Sequence, residues 1–411
     1  MIKHILKIVW TQRRSNLLIW MELMLVFVLL WMVTDQIFGT IKRYRVPKGF
    51  DIENTYYVDV KMIPGRERVG NPSDDSLSKA YEVPFYALLE KIKRNENVEY
   101  ASAGIMSKPY NGGNSWSPIT VGKRKCDSYL RLVDNDFFKV FRIPINYGKD
   151  LSDGRYNNIV LSKMLADSLF RSDAAAVGKH CELNGTNYTV VGVTDSYKYY
   201  DFTRETPTSY EPFAPTFTKY KLGSVDTPEI CIRLKASAPK DAIEKMRKEL
   251  SNLGDSPYYI QNISSFESLR QIYFSWTGEK KNMKMGGAII IFFLVNVLLG
   301  IVGTFWFRTE QRRDEVGLRM AIGSSSASLL NLFMAEAIVL LFLAAIPGVL
   351  ITLQLRYLEL HVFSGWNASW VVFILAGLTA FIVLAGMILL GTWFPARQAS
   401  RVQPSEALHY E

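Results

Sequence analysis

The sequence is poor in the side chains that carry most nucleophilic and metal chemistry: its 411 residues include only four histidines and three cysteines. His4, His180, His361 and His409 are scattered. Only His180 falls well inside the long polar segment that follows the first apolar run, and no sequence pattern pairs it with a nucleophile. Cys126, Cys181 and Cys231 are too widely spaced for a zinc site. Their number allows one disulfide with one free thiol, or three free thiols. Asp74 and Asp75 stand in an "NPSDDS" loop and read as a helix start rather than an acid/base pair. A Gly-x4-Gly-Lys-Ser/Thr phosphate loop is absent from the sequence, so no segment of it is built to hydrolyse ATP. No catalytic residue, metal ligand or bound cofactor is expected, and the chain does not read as an enzyme.

What is abundant is apolar sequence in long runs. Residues 17–38, 285–307, 335–355 and 370–394 are each long enough, at about 1.5 Å per residue, to cross a hydrocarbon core of roughly 30 Å. The spacing predicts four transmembrane helices. Lys3, Lys7, Arg13 and Arg14 precede the first run like a secretory leader, but the run is longer than such leaders carry and "TDQIFGTIKRYR" after it offers no small-x-small cleavage site. It reads as a retained anchor. Arginines also cluster at 308–319 and at Arg397 and Arg401, whereas the short stretch 356–369 holds only Arg356. The positive-inside rule then puts 1–16, 308–334 and 395–411 in the cytoplasm and 39–284 and 356–369 outside. The net charge of +9 is accounted for by these anchors and by a solvated surface, without nucleic acid.

Within 39–284, "NTYYVDVKM", a helix over 76–95 and "VEYASAG" form a strand, helix, strand unit. "PEICIRLKA", "PKDAIEKMRKELSNLG" and "PYYIQNI" form another, with Gly254 as the helix stop. Between them, at about 145–225, "NNIVLSKMLADSLF" reads as a strand running into a helix. "KHCELNGTNYTVVGVTD" reads as a hairpin turned at Asn184-Gly185. The expected fold is an α-helical membrane protein bearing a large extracytoplasmic α+β domain, in which a β-rich module interrupts a discontinuous α/β module. A stalk-like helix at about 264–284 is expected to run into the second span, unless Gly278 and the lysines break it.

In the spans, Asn296, Ala344, Gly348, Ala376 and Ala380 suit close helix packing, because small residues let backbones approach and a buried amide seeks a partner. Pro347 is expected to kink the third span. Glu22 and Asp35 lie near opposite ends of the first span, within reach of the headgroups. So few polar groups make a poor solute channel.

Between spans two and three stands "RTEQRRDEVGLRMAIG". On a helix Glu315 and Arg319 pair at four residues, Glu310 and Asp314 meet neighbouring arginines such as Arg313, and Val316 shares a face with Met320. Gly317 leaves that face open to another backbone, and Gly323 ends the helix before serines able to cap the next. The segment resembles the signature of FtsX-like and MacB-like ABC permeases, a Glu-(Ile/Val)-Gly-x-Arg-x-Ala-x-Gly core matched by Glu315, Val316, Gly317, Arg319, Ala321 and Gly323, with Glu336-Ala337 downstream. The tail "PARQASRVQPSEALHYE" and the external "LSDGRYNNIVLSKMLADSLF" are similar to the same family.

That resemblance implies a porter-type external module interrupted by a β-rich one, and a coupling helix at 308–323 seated in a groove of a separate cytoplasmic ABC ATPase. It implies ATP and magnesium bound by that partner, a second permease copy or homologue, and a bacterial inner membrane with the large domain in the periplasm. The implied activity is mechanical: efflux or extrusion of a drug, peptide or lipoprotein, with a periplasmic adaptor and outer-membrane channel or a lipoprotein carrier as further partners. Signalling to a periplasmic partner, as in the FtsX branch, and lipoprotein release are the neighbouring alternatives.

Overall fold

A computed structural model of the protein describes residues 11, 13–64, 75–111, 115–153, 155–213, 228–311, 318–319, 322, 324–358 and 369–399. By its contacts the chain divides into two units, Met1–Lys42 with Lys281–Glu411, and Arg43–Lys280. Helix α1 (Arg13–Arg45) runs unbroken across the first boundary.

The second unit begins with an α/β module. Strand β1 (Thr55–Met62), helix α2 (Asp75–Lys93) and strand β2 (Val98–Ile105) form its first half. Its second half comes more than a hundred residues later as β10 (Glu229–Leu234), α5 (Ala242–Glu249) and β11 (Tyr258–Ser265). The sheet order is β11-β1-β10-β2 with every neighbour antiparallel, a split β-α-β arrangement. Phe85, Leu88, Leu89 and Ile92 recur at helical spacing on α2 and are buried against Val58, Val60, Ile230 and Ile232. Each such side chain contributes about 1.5–3 kcal/mol when fully buried. Strand β10 is buried at every residue, because Ile230 and Ile232 face this core while Cys231 and Arg233 are covered from the other side.

The intervening chain supplies the β-rich module: β3 (Ser115–Val121), β4 (Arg124–Val133), β5 (Ile145–Gly148), β6 (Asn158–Ser162), β7 (His180–Leu183), β8 (Thr186–Thr194) and β9 (Thr208–Pro212). Pairings run β4-β3-β7-β8-β6-β9 and back to β4, closing a six-stranded ring, with β5 added beside β8. Closure leaves no unpaired edge among the six strands. The ring takes in Ser115–Val133, upstream of the 145 at which the sequence pattern starts the insertion. The β7–β8 turn has positive φ at both Asn184 (50°) and Gly185 (78°), the backbone that an Asn-Gly hairpin requires. Helix α3 (Phe137–Val140) lies against β2 and β10 of the α/β module, and helix α4 (Lys163–Phe170) covers the ring, where Leu165, Ala166 and Leu169 pack on Ile159, Leu161 and Val193.

Helix α6 (Phe266–Trp276) buries Phe266, Tyr273 and Phe274 in an aromatic core with Phe137, Phe141 and Tyr210. It ends at Thr277, whose amide bonds the Tyr273 carbonyl at 2.8 Å, and Gly278 follows at φ 71°. A left-handed glycine after the last turn stops a helix, so the continuous stalk expected at 264–284 is two helices: α6, and then α7 (Glu279–Gln311).

The first unit holds most of α1, with α7, α8 (Ser326–Tyr357) and α9 (Trp370–Ala399). Among the described residues three helices are long and apolar enough to cross a membrane: Asn16–Arg45, Ala327–Tyr357 and Trp370–Trp393. In α7 the described apolar stretch is the shorter Lys284–Gly300, so the expected fourth span is not established by length and composition. Pro347 lies inside α8 without ending it.

Candidate functional site

The membrane helices pack through a narrow stripe. Ile19, Leu23, Phe27 and Trp31 recur every four residues on α1 and are buried with Ala337, Leu340, Leu341 and Ala344 of α8 and Phe373, Ala376, Ala380, Leu384 and Ile388 of α9. Small residues set the spacing. A Cβ at Gly348 would sit 2.7 Å from Phe27 Cδ1, and one at Gly377 would sit 2.5 Å from Trp31 Cε2. The indole of Trp31 donates to the Phe373 carbonyl at 2.9 Å, which fixes the register of α1 against α9. Ala344, Gly348, Ala376 and Ala380 thus lie at helix contacts. Asn296 does not: it is exposed, and its amide donates to the Phe292 carbonyl of its own helix at 2.8 Å, so no neighbour is needed. Glu22 lies against bare backbone, since a Cβ at Gly300 of α7 would come within 2.4 Å of its Oε1.

Of the proposed coupling residues, Arg313, Glu315, Val316, Gly317, Ala321 and Gly323 lie outside the described residues. Glu310 stands in the last turn of α7, and Arg319 is half-buried. The Ile322 amide bonds the Leu318 carbonyl at 3.1 Å, and the Ser324 amide bonds that of Arg319 at 2.9 Å. Leu318 and Ile322, four apart, are 54% and 78% exposed. Ser325 then caps α8 by accepting from the Ser328 amide.

A second constellation lies in the external unit, at the segment Lys198–Phe202. The Lys198 ammonium donates to the carbonyls of Arg43, Val46 (2.9 Å) and Asp201 (3.3 Å). It thereby occupies the C-terminus of α1, where helix carbonyls lack partners and a cation is favoured. The Asp201 carboxylate, 4% exposed, accepts from Arg270 Nη2 at 2.7 Å, Arg270 Nε at 3.1 Å and the Tyr110 hydroxyl at 3.0 Å, with the Lys48 ammonium at 3.8 Å. Burial pushes the Asp201 carboxyl up, but the Arg270 fork and the charges of Lys48 and Arg270 outweigh it and hold it below the usual carboxylate range. Burial lowers the Lys48 ammonium against the pull of Asp201. Phe202 stacks on Tyr44 at 5.5 Å and touches Phe274 at 5.6 Å. Sequence patterns missed this cluster because the segment's partners on α1 and α6 lie at least 69 residues from it in the chain; the only local hint is a carboxylate inside the aromatic string "YKYYDF".

All three cysteines are free, and burial pushes the Cys181 thiol up to about 12 and the Cys231 thiol well above its usual value, which makes both poor nucleophiles. His180 is exposed and faces Thr189 Oγ1 at 3.2 Å.

Profiles of two families match the chain: the MacB-like periplasmic core domain over residues 24–250, and the FtsX-like permease C-terminal region over residues 287–404. The "Uncharacterized ABC transporter permease YvrN" of Bacillus subtilis (strain 168) is 25% identical over 294 residues, 68% of this chain and 69% of that one. The "Macrolide export ATP-binding/permease protein MacB" of Shigella sonnei (strain Ss046) is 22% identical over 288 residues, 68% of this chain and 43% of that one. The "Probable syringafactin export ATP-binding/permease protein SyfD" of Pseudomonas syringae pv. tomato (strain ATCC BAA-871 / DC3000) is 25% identical over 69% of this chain and 42% of its own length. The chain therefore spans less than half of the two ATP-binding/permease proteins. With the first profile covering more than half of its residues and the second most of its C-terminal part, the chain belongs to the FtsX-like, MacB-like permease family of ABC transporters.

Proposed function

We propose that this chain is the permease subunit of a MacB-like ABC transporter that converts ATP-driven motion of a separate cytoplasmic ATPase into motion of its external unit. The observation that carries the reading is α1, which leaves the apolar stretch as one continuous helix and ends inside the external unit under the Lys198 cap. A helix held at its far end transmits displacement; the described spans offer no row of polar groups along which a solute would pass.

In this reading four helices span the inner membrane, both termini are cytoplasmic, and residues 308–323 dock on the ATPase. Gly317 supplies the close approach, Glu315 and Arg319 shape the polar face, and the exposed Leu318 and Ile322 are covered by the partner. ATP and magnesium belong to that partner, and two permease copies bring two ATPase copies together. The work is done on a substrate already outside the inner membrane, with a drug, peptide or lipoprotein as the classes to test. The size of the external unit, Arg43–Lys280, favours extrusion over the signalling role of the FtsX branch.

Gentle purification of the chain from its native membrane, followed by mass spectrometry of bound proteins, tests this. An ABC ATPase retained by the wild type and lost from Gly317→Trp is the expected result. Recovery of an external partner with no ATPase under several mild conditions would overturn it in favour of a scaffold.

A further inference from the structure

The chain connects to its external unit twice, through the end of α1 and through α6, and both connections are held by the same few residues. Lys198 holds the last carbonyls of α1, and its own backbone amide donates to the Lys48 carbonyl at 3.0 Å. Asp201 binds Lys48 just beyond α1 and grips Arg270 of α6 with both carboxylate oxygens. Phe202 repeats the pattern in apolar form, between Tyr44 and Phe274. Three side chains within five residues therefore touch 43–48 on one side and 270–274 on the other. Charge-assisted and forked contacts of this kind are the strong ones, and they are geometrically strict.

We infer that Lys198–Phe202 is the joint that makes the two connections move together, with Asp201 as the positioning residue they share. The inference rests on the mechanical reading above and sharpens it: displacement of α1 reaches α6 through this segment, with Asp201 as its charged link, rather than through the bulk of the β-rich ring.

The test uses the permease–ATPase complex in lipid nanodiscs, followed by hydrogen exchange of peptides 43–50, 266–277 and, as an internal control, 158–170, with and without ATP plus vanadate. In the wild type, nucleotide is expected to change exchange in 43–50 and 266–277 together. Asp201→Asn should speed exchange in both peptides by about tenfold before nucleotide is added, since both lose a charged anchor. It should also confine the nucleotide response to one of them, while 158–170 stays protected. If the control peptide loses protection, the variant has unfolded and the peripheral pair decides. Lys48→Met and Arg270→Gln, alone and combined, should be non-additive because both act through Asp201.

Loosening of 266–277 alone by Asp201→Asn, or strict additivity of the pair, would overturn the shared joint. A wild-type complex whose peptides ignore nucleotide would instead overturn the mechanical reading, whatever Asp201→Asn does to exchange without nucleotide.

Discussion

The two connections between the chain's units are built differently. On the outward path α1 is continuous from Arg13 to Arg45 and carries its hydrogen-bond ladder across the boundary. On the return path the helix stops at Thr277, turns through Gly278 at φ 71° and restarts at Glu279. A continuous helix resists bending along its whole length, whereas a left-handed glycine lets the next helix change direction without breaking hydrogen bonds in either one. The outward path is therefore the stiff one and the return path the compliant one, and under the proposed function the drive would run mainly through α1.

The largest expected effect breaks that asymmetry outright. Ile41→Pro, in the part of α1 just before the boundary, removes one ladder bond and clashes with the preceding turn, at a cost of about 3 kcal/mol to helix continuity. The nucleotide-driven change in hydrogen exchange of the external unit should vanish while the ATPase still co-purifies. An unchanged response would show that α1 is not the drive.

Lys198→Met comes next. It removes the ammonium from the Arg43 and Val46 carbonyls, and loss of the charged hydrogen bonds should cost about 2 kcal/mol, read as faster exchange confined to residues near 43–48.

Gly278→Ala tests the compliant side. A side chain at that φ costs roughly 1 kcal/mol, so the Tm should fall slightly and the nucleotide response of 266–277 should shift before that of 43–50. Equal shifts in both would deny that the two connections differ.

Asp134 should have the smallest influence on either path. It follows β4 and accepts the Ala103 amide of β2 at 2.8 Å, joining the α/β module to the ring. Burial pushes its carboxyl up to about 6, although the amide, Ser102 and Lys93 pull the other way. Between about pH 4 and pH 6 the unfolded chain gives up this proton while the folded chain keeps it, so stability contributed here falls as pH rises through that window. Asp134→Asn should flatten that fall, measured as the pH dependence of exchange in β2, and leave the nucleotide response intact.

Much of the external architecture was legible because it is periodic. The face of α2 from Phe85 to Ile92, the aromatic and branched run of β1 and the Asn184-Gly185 turn each reveal themselves within ten residues. Ring closure was not. It depends on β4 running parallel to β9, Tyr129 against Thr208 through Val133 against Pro212, across 79 residues. A β-rich module that starts at 145 leaves out the hairpin at 115–133. In the membrane, Ala344, Gly348, Ala376 and Ala380 showed themselves as small residues in apolar runs. Gly377, which makes room for the Trp31 ring, became visible only once α1 lay against α9. Asn296 stood out as an amide in an apolar run, and in this chain its own helix satisfies it.

By itself the sequence determined the long apolar runs, the strands and helices of the external unit and the kinship carried by residues 308–323, because hydrophobic period, turn chemistry and motif are properties of neighbouring residues. Tertiary structure alone decided that Lys198 caps α1 and that Asp201 joins Lys48 to Arg270. Partners so far apart in the chain meet only after the entropy of closing the loops between them has been overcome, and no local pattern records which of many such closures the folded core will favour.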